Sequence, residues 1–164
     1  MSIRRFEIEQ FSLTSSKPFE AVVVALKAAV GRLNLTEFAN ASKGIRTLAE
    51  TGNVVRQDLG RTGLMLFMEL DHGAVLRKET GLDTPKIVRL VIGNPLVRKE
   101  MAKHVPDAGS YAPVTVLVNE RPDGVHLSND KLASLLAPYG NADALAVARD
   151  LDSKVENPLR ESAA

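Results

Sequence analysis

Between Pro113 and Ser128 the chain reads PVTVLVNERPDGVHLS, and this stretch restricts the fold more than any other. Residues 113–119 are rich in β-branched side chains and are entered through a proline, which suits the start of a strand. Arg121-Pro122-Asp123-Gly124 then places Pro and Gly where a tight turn needs them. Residues 125–128 are therefore expected to return antiparallel. An antiparallel pair excludes a purely parallel, doubly wound sheet. The Gly-rich phosphate loop that follows the first strand of such folds is missing as well.

Elsewhere the hydrophobic pattern switches between a period of two and a period of 3.6. Ile3, Phe6, Ile8 and Phe11 alternate roughly with charged residues, which predicts a half-buried strand over 3–13. Phe19, Val22, Val23, Leu26, Val30 and Leu33 trace one helical stripe behind Pro18, a residue suited to a first turn. Residues 34–62 keep helical spacing at Phe38, Ala41, Ile45 and Leu48, while Asn40, Ser42, Gly44 and Gly52 weaken it. One or two short helices are expected there. Leu64 to Leu70 is an apolar run too short for a buried helix and reads as a central strand.

A helix from His72 to Glu79 should end at Gly81, and Lys86 to Ile92 should form another strand. In that strand Val88, Leu90 and Ile92 share one face and Ile87 and Val91 flank Arg89 on the other. Leu96, Val97, Met101 and Val105 predict a short helix, Lys131 to Leu136 a brief one. Asn141 caps a last helix to about Glu156, with Leu145, Ala148, Leu151 and Val155 inward. Together these elements predict an α+β fold: a single domain, residues 1–164, with a mixed or antiparallel sheet of about five strands covered by helices.

Bulk properties narrow the function. The 164 residues suffice for one domain with a real core. There is no cysteine, which excludes disulfides, thiolate metal sites and thiol nucleophiles. With 21 basic and 20 acidic side chains the net charge is +1, and no strong field exists to recruit nucleic acid or anionic lipid. Aromatic residues make up only 4%, which removes most stacking platforms for bases. No apolar run reaches the roughly 18 to 20 residues of a membrane span. The opening residues lack the apolar centre of a signal peptide, so a cytoplasmic protein is expected, with no nucleic-acid and no membrane partner.

Few positions can carry chemistry. Asp71 stands between a strand and a helix, where its carboxylate can cap free amides. His72 beside it can serve as a general base tuned by a carboxylate, which makes it the candidate catalytic residue. Asn94-Pro95 is a common helix start. In a functional reading, Gly93 admits a ligand while the amides of Leu96 and Val97 hold an anion. Tyr111, after the loop 106–110, can border a pocket or simply pack. His104 and His126 show no metal-ligand spacing with His72, so no metal and no cofactor is expected. Arg89, if buried, would demand a carboxylate or a bound anion. The predicted strands, if they ran the same way, would bring Asp71, His72, Gly93 and Asn94 to one rim of the sheet.

The span from Phe19 to Val155 resembles the bacterial domain-of-unknown-function 302 family. The likeness rests on Asp71-His72-Gly73-Ala74, on Pro85 to Pro95 with its Gly93-Asn94-Pro95, and on Val125-His126-Leu127-Ser128. Where a family member carries a polar Tyr-Asp or Asp-Pro stretch after the hairpin, this chain reads Ser128-Asn129-Asp130. The resemblance implies a small α+β fold that self-associates, with a homo-oligomer, a dimer, as the expected state. It implies no particular reaction.

Three readings follow. The first is a domain that binds a small polar or anionic ligand at the strand-exit rim, through Asp71, His72, Gly93, Asn94 and Tyr111. The second is a hydrolase or isomerase with His72 as base. The third is a structural module whose function is its homo-oligomeric interface.

Overall fold

A computed structural model of the chain describes residues 3–33, 36, 40 and 43–164. Its centre is a six-stranded sheet in the order β1-β6-β5-β4-β3-β2. The strands are β1 (Gln10–Ser15), β2 (Gly31–Arg32), β3 (Met65–Asp71), β4 (Ile87–Gly93), β5 (Val114–Arg121) and β6 (Gly124–Asp130). Only the β2–β3 pair is parallel, so the sheet is mixed. Among the described residues the helices with defined bounds are α1 (Phe19–Ala29), α2 (Leu48–Asp58), α3 (Gly73–Thr80), α4 (Pro95–Ala102), α5 (Leu132–Leu136) and α6 (Ala142–Ala163).

The hairpin forms as the sequence dictates, with Arg121 opposite Gly124. Gly124 has φ 134°, and a Cβ there would lie 2.6 Å from the carbonyl oxygen of Ser15, so only glycine fits. Alternation along the central strands decides what is buried. Val88, Leu90 and Ile92 of β4, Val114, Val116 and Val118 of β5, and Val125 and Leu127 of β6 join one core with Val22, Leu26, Leu151, Val155 and Leu159 of the helices. The alternate positions, including Arg89, Thr115, Leu117, His126 and Ser128, are half-buried or exposed on the opposite face. Arg89 is exposed there and donates to Thr115 Oγ1 at 3.1 Å, so it poses no buried-charge problem.

The first strand is shorter than the alternation predicts. β6 ends at Asp130, opposite Gln10, and the chain then turns into α5, so residues 3–9 have no strand to pair with. The last link is the amide of Lys131 donating to the carbonyl of Glu9 at 2.7 Å. Phe6 packs instead between the rings of Tyr111 and Tyr139.

The helix stripe that reaches Leu33 in the sequence also breaks early. After Ala29 the chain straightens and Gly31–Arg32 add a sixth strand to the expected five. A Cβ on Gly31 would meet the carbonyl oxygen of Asp58 at 1.7 Å, so the close crossing of these two segments requires glycine. Leu33 keeps its burial by packing with Val55 and Met65.

Among the described residues of 34–62, α2 runs over Leu48–Asp58 and is opened by Thr47 and Glu50 in a reciprocal capping box. The expected helical positions Phe38 and Ala41 lie outside the described residues, and Ile45 precedes the helix. β3 is less central than its composition suggests. Among the described residues β2 pairs only with Met65 and Leu66 and no strand pairs with Met68 to Asp71 on that side, where Met68 is 47% and Leu70 37% exposed.

The final helix runs past the expected end near Glu156 and through Pro158. Pro158, Leu159 and Ser162 are buried. The hydroxyl of Ser15 donates to the carbonyl of Ala163 at 2.7 Å, fastening the last turn to β1. Tertiary burial and this anchor offset the amide that proline lacks.

Candidate functional site

Asp71 ends β3, and α3 begins two residues later. Its carboxylate accepts from both terminal nitrogens of Arg77, Nη2 at 2.5 Å and Nη1 at 3.3 Å. This fork geometry is the strong form of an ion pair. The Arg77 hydrogen bond, with help from the amides of Ala74 and Gly73, holds the Asp71 carboxyl below the usual carboxylate range. Gly73 makes the arrangement possible, since a Cβ there would lie 2.5 Å from Arg77 Nη1 and 2.7 Å from the carbonyl oxygen of Pro85.

A cavity of about 310 Å³ opens beside this pair, bordered by Phe19, Glu20, Glu69, Arg77, Asp83 and Lys86 among others. Three of its four carboxylates, Asp71, Glu20 and Glu69, are paired with cations. Lys86 bonds Glu20 at 3.0 Å and Lys27 bonds Glu69 at 2.6 Å. His72 is exposed and does not line this cavity, and Asp71 turns to Arg77 and not to the imidazole.

Asn94 sits at the far end of the sheet. β3 and β4 are antiparallel, with Met65 opposite Gly93 and Asp71 opposite Val88. Along about 3.4 Å per residue, that pairing separates Asp71 from Asn94 by about 20 Å. The expectation that both strand exits share one rim is therefore corrected: it assumed strands running the same way, and these run opposite ways. Asn94 Oδ1 accepts the amide of Leu96 at 2.8 Å and its Nδ2 donates to the carbonyl of Gly63 at 2.9 Å. Pro113 closes over Gly93, and the space left beside it is about 10 Å³, room for one water at most.

Tyr111 belongs to a third place. Its hydroxyl and that of Tyr139 are 2.8 Å apart, and with Phe6 the rings form an aromatic cluster. The hydrogen bond with Tyr111, reinforced by burial and by Asp107, pushes the Tyr139 phenol up to about 12. The three histidines are dispersed too. His126 Nε2 pairs with Asp123 at 2.8 Å, while His104 and His72 are exposed. Among the described residues no group of three His, Asp or Glu is placed to hold a metal ion.

A concavity larger than the two above lies where the sequence offered no motif. α2, α4 and α6 enclose a groove of about 780 Å³, floored by Ala49, Gly52, Leu96, Val97, Ala146 and Val147. Arg56, Lys99, Glu100 and Asp150 stand on it. Each helix contributes residues at helical spacing, such as Ala49, Gly52 and Arg56 at i, i+3 and i+7. That stripe was the available signal, and only tertiary packing reveals that three such stripes lie side by side.

No helix among the described residues is long and apolar enough to cross a membrane. No curated protein matches the chain. Among solved structures, an uncharacterized conserved protein DUF302 from Bacillus stearothermophilus is similar over 94% of this chain and 98% of its own. The TM-score is 0.63 at 13% sequence identity, a likeness of fold. The family model described as domain of unknown function DUF302 matches residues 38–161. Three-quarters of the chain thus carries that signature on the same α+β architecture, and the chain belongs to the DUF302 family.

Proposed function

We propose that this domain binds a small molecule in the groove between α2, α4 and α6. The observation that carries the reading is the groove itself: about 780 Å³, with an apolar floor and a few charged groups at its margin. Sites for small ligands have this size and this composition. The charged cavity at Asp71 is the weaker candidate, because three of its four carboxylates, Glu20, Glu69 and Asp71, already have cationic partners.

The neutral, polarity-sensitive dye Nile red tests the reading. It should brighten with the native protein and do so far less with Val147→Trp, whose indole projects from α6 into the groove and covers part of its apolar floor. Dye binding that ignores this substitution, or no binding at all, overturns it.

A second reading rests on a different observation. Met68 and Leu70 stand exposed on the sheet face beside Val91 and Leu117, a surface that a second copy of the chain can cover. Self-association through this face predicts a dimer in sedimentation velocity that Leu70→Lys dissociates. A native monomer at high concentration counts against it.

A further inference from the structure

Taking the groove as the ligand site, we propose that its occupant is an amphipathic anion: an apolar chain or ring bearing one carboxylate, with the carboxylate on Arg56. The charges around the groove support a negative head. Glu100 is bonded by both Lys99 and Lys103, and Asp150 is bonded by Lys154 at 2.6 Å. Of the groove's own charges, Lys99 is thus taken up by Glu100, and Asp150 by Lys154 from outside the groove. Arg56 is the cation without an acidic partner among the described residues. Its Nη2 donates to Asn53 Oδ1 at 2.8 Å, which uses one of five N–H donors and leaves an edge for a planar, two-oxygen acceptor.

Gly52 supplies independent support. It is buried in the middle of α2, where glycine costs roughly 1 kcal/mol relative to alanine. A Cβ at this position would lie 3.1 Å from Arg56 Nη1 and 3.2 Å from Nη2. The missing side chain therefore makes room for the guanidinium to lie back along its own helix, beside the apolar floor. Leu96, Val97, Ala146 and Val147 then face the hydrocarbon part of a ligand whose head reaches Arg56.

Decanoate and decanol, identical in chain length and different in charge, separate the two parts of the claim by calorimetric titration below their aggregation limits. Native protein should bind decanoate about tenfold or more tightly than decanol, the scale of one hydrogen bond to a charged group. Arg56→Gln should erase that preference and leave decanol unchanged, and Arg56→Lys should retain part of it. Equal affinities in the native protein, or a preference that survives Arg56→Gln, would overturn the anionic head while leaving the groove as the site. Binding of neither compound, or binding that Val147→Trp leaves intact, would overturn the groove and the head together. Arg56 is exposed on its helix, so the variants should keep the native melting temperature.

Discussion

Asp152 lies inside α6, 3% exposed, and its Oδ1 accepts the amide of Leu132 at 2.7 Å. Its Oδ2 accepts the next amide, that of Ala133, at 2.9 Å. One carboxylate thus satisfies the start of α5 from a neighbouring helix, because Lys131 cannot cap it. Asp152→Ala should leave two amides unsatisfied and destabilise the protein by about 2 kcal/mol in urea unfolding. Asp152→Asn, which keeps one acceptor, should cost less. Burial raises the carboxyl of Asp152, so its own linkage favours folding below its unfolded pKa and weakens as the pH rises through the folded one.

Glu100 works in the opposite sense. Hydrogen bonds from Lys103 and then Lys99 push its carboxyl down from 4.5 to about 2. A lowered acid contributes stability above its unfolded pKa and loses it as the pH falls through the folded one. Carbon-detected titration should place the Glu100 midpoint near 2, and replacing Lys99 and Lys103 with methionine should return it toward 4.5.

Gly73→Ala sets two effects against each other. Alanine is the better helix former, although at the first position of α3 it gains less than the roughly 1 kcal/mol of a helix interior. Its Cβ, however, would meet the backbone carbonyl of Pro85 at 2.7 Å and Arg77 Nη1 at 2.5 Å, and overpacking of this kind costs about 1 to 3 kcal/mol. The variant should melt at a lower temperature. The Asp71 carboxyl should also titrate closer to 3.8, since the guanidinium that lowers it must move.

Tyr111→Phe removes the hydroxyl on which Tyr139 depends. The remaining phenol should then ionise closer to 10.0 than to 12 in an ultraviolet absorbance titration. An unchanged Tyr139 midpoint would mean that burial and Asp107 alone raise it.

Much of the fold is legible in local signals, and the losses have physical causes. The Pro-Asp-Gly hairpin, the Asn94-Pro95 helix start and the alternation of β4 depend on neighbours in sequence, and each forms where expected. β2 depends on a crossing between Gly31 and the segment after Asp58, which no periodicity reports. Residues 3–8 alternate as a strand would, yet their partner strand has already ended. Pro158 looks like a stop in the sequence, but burial of Leu159 and the Ser15 anchor carry the helix through it. The candidate site suffered most. Asp71 and Asn94 each lie at a strand exit, as local sequence predicts, while their relation depends on relative strand direction, which sets them at opposite ends of the sheet. The groove was hidden because its residues come from three helices distant in sequence.

β2 stops after pairing with Met65 and Leu66, so the sheet is sealed along the first half of β3 and ajar along the second. Glu69 and Asp71 stand on that open half, each tied to a cation. Another chain zipping onto this margin would have to disturb those pairs or leave anionic side chains crowded together. Charged side chains on an exposed margin are a general device by which sheets discourage edge-to-edge growth, and these two acids stand where that device would act.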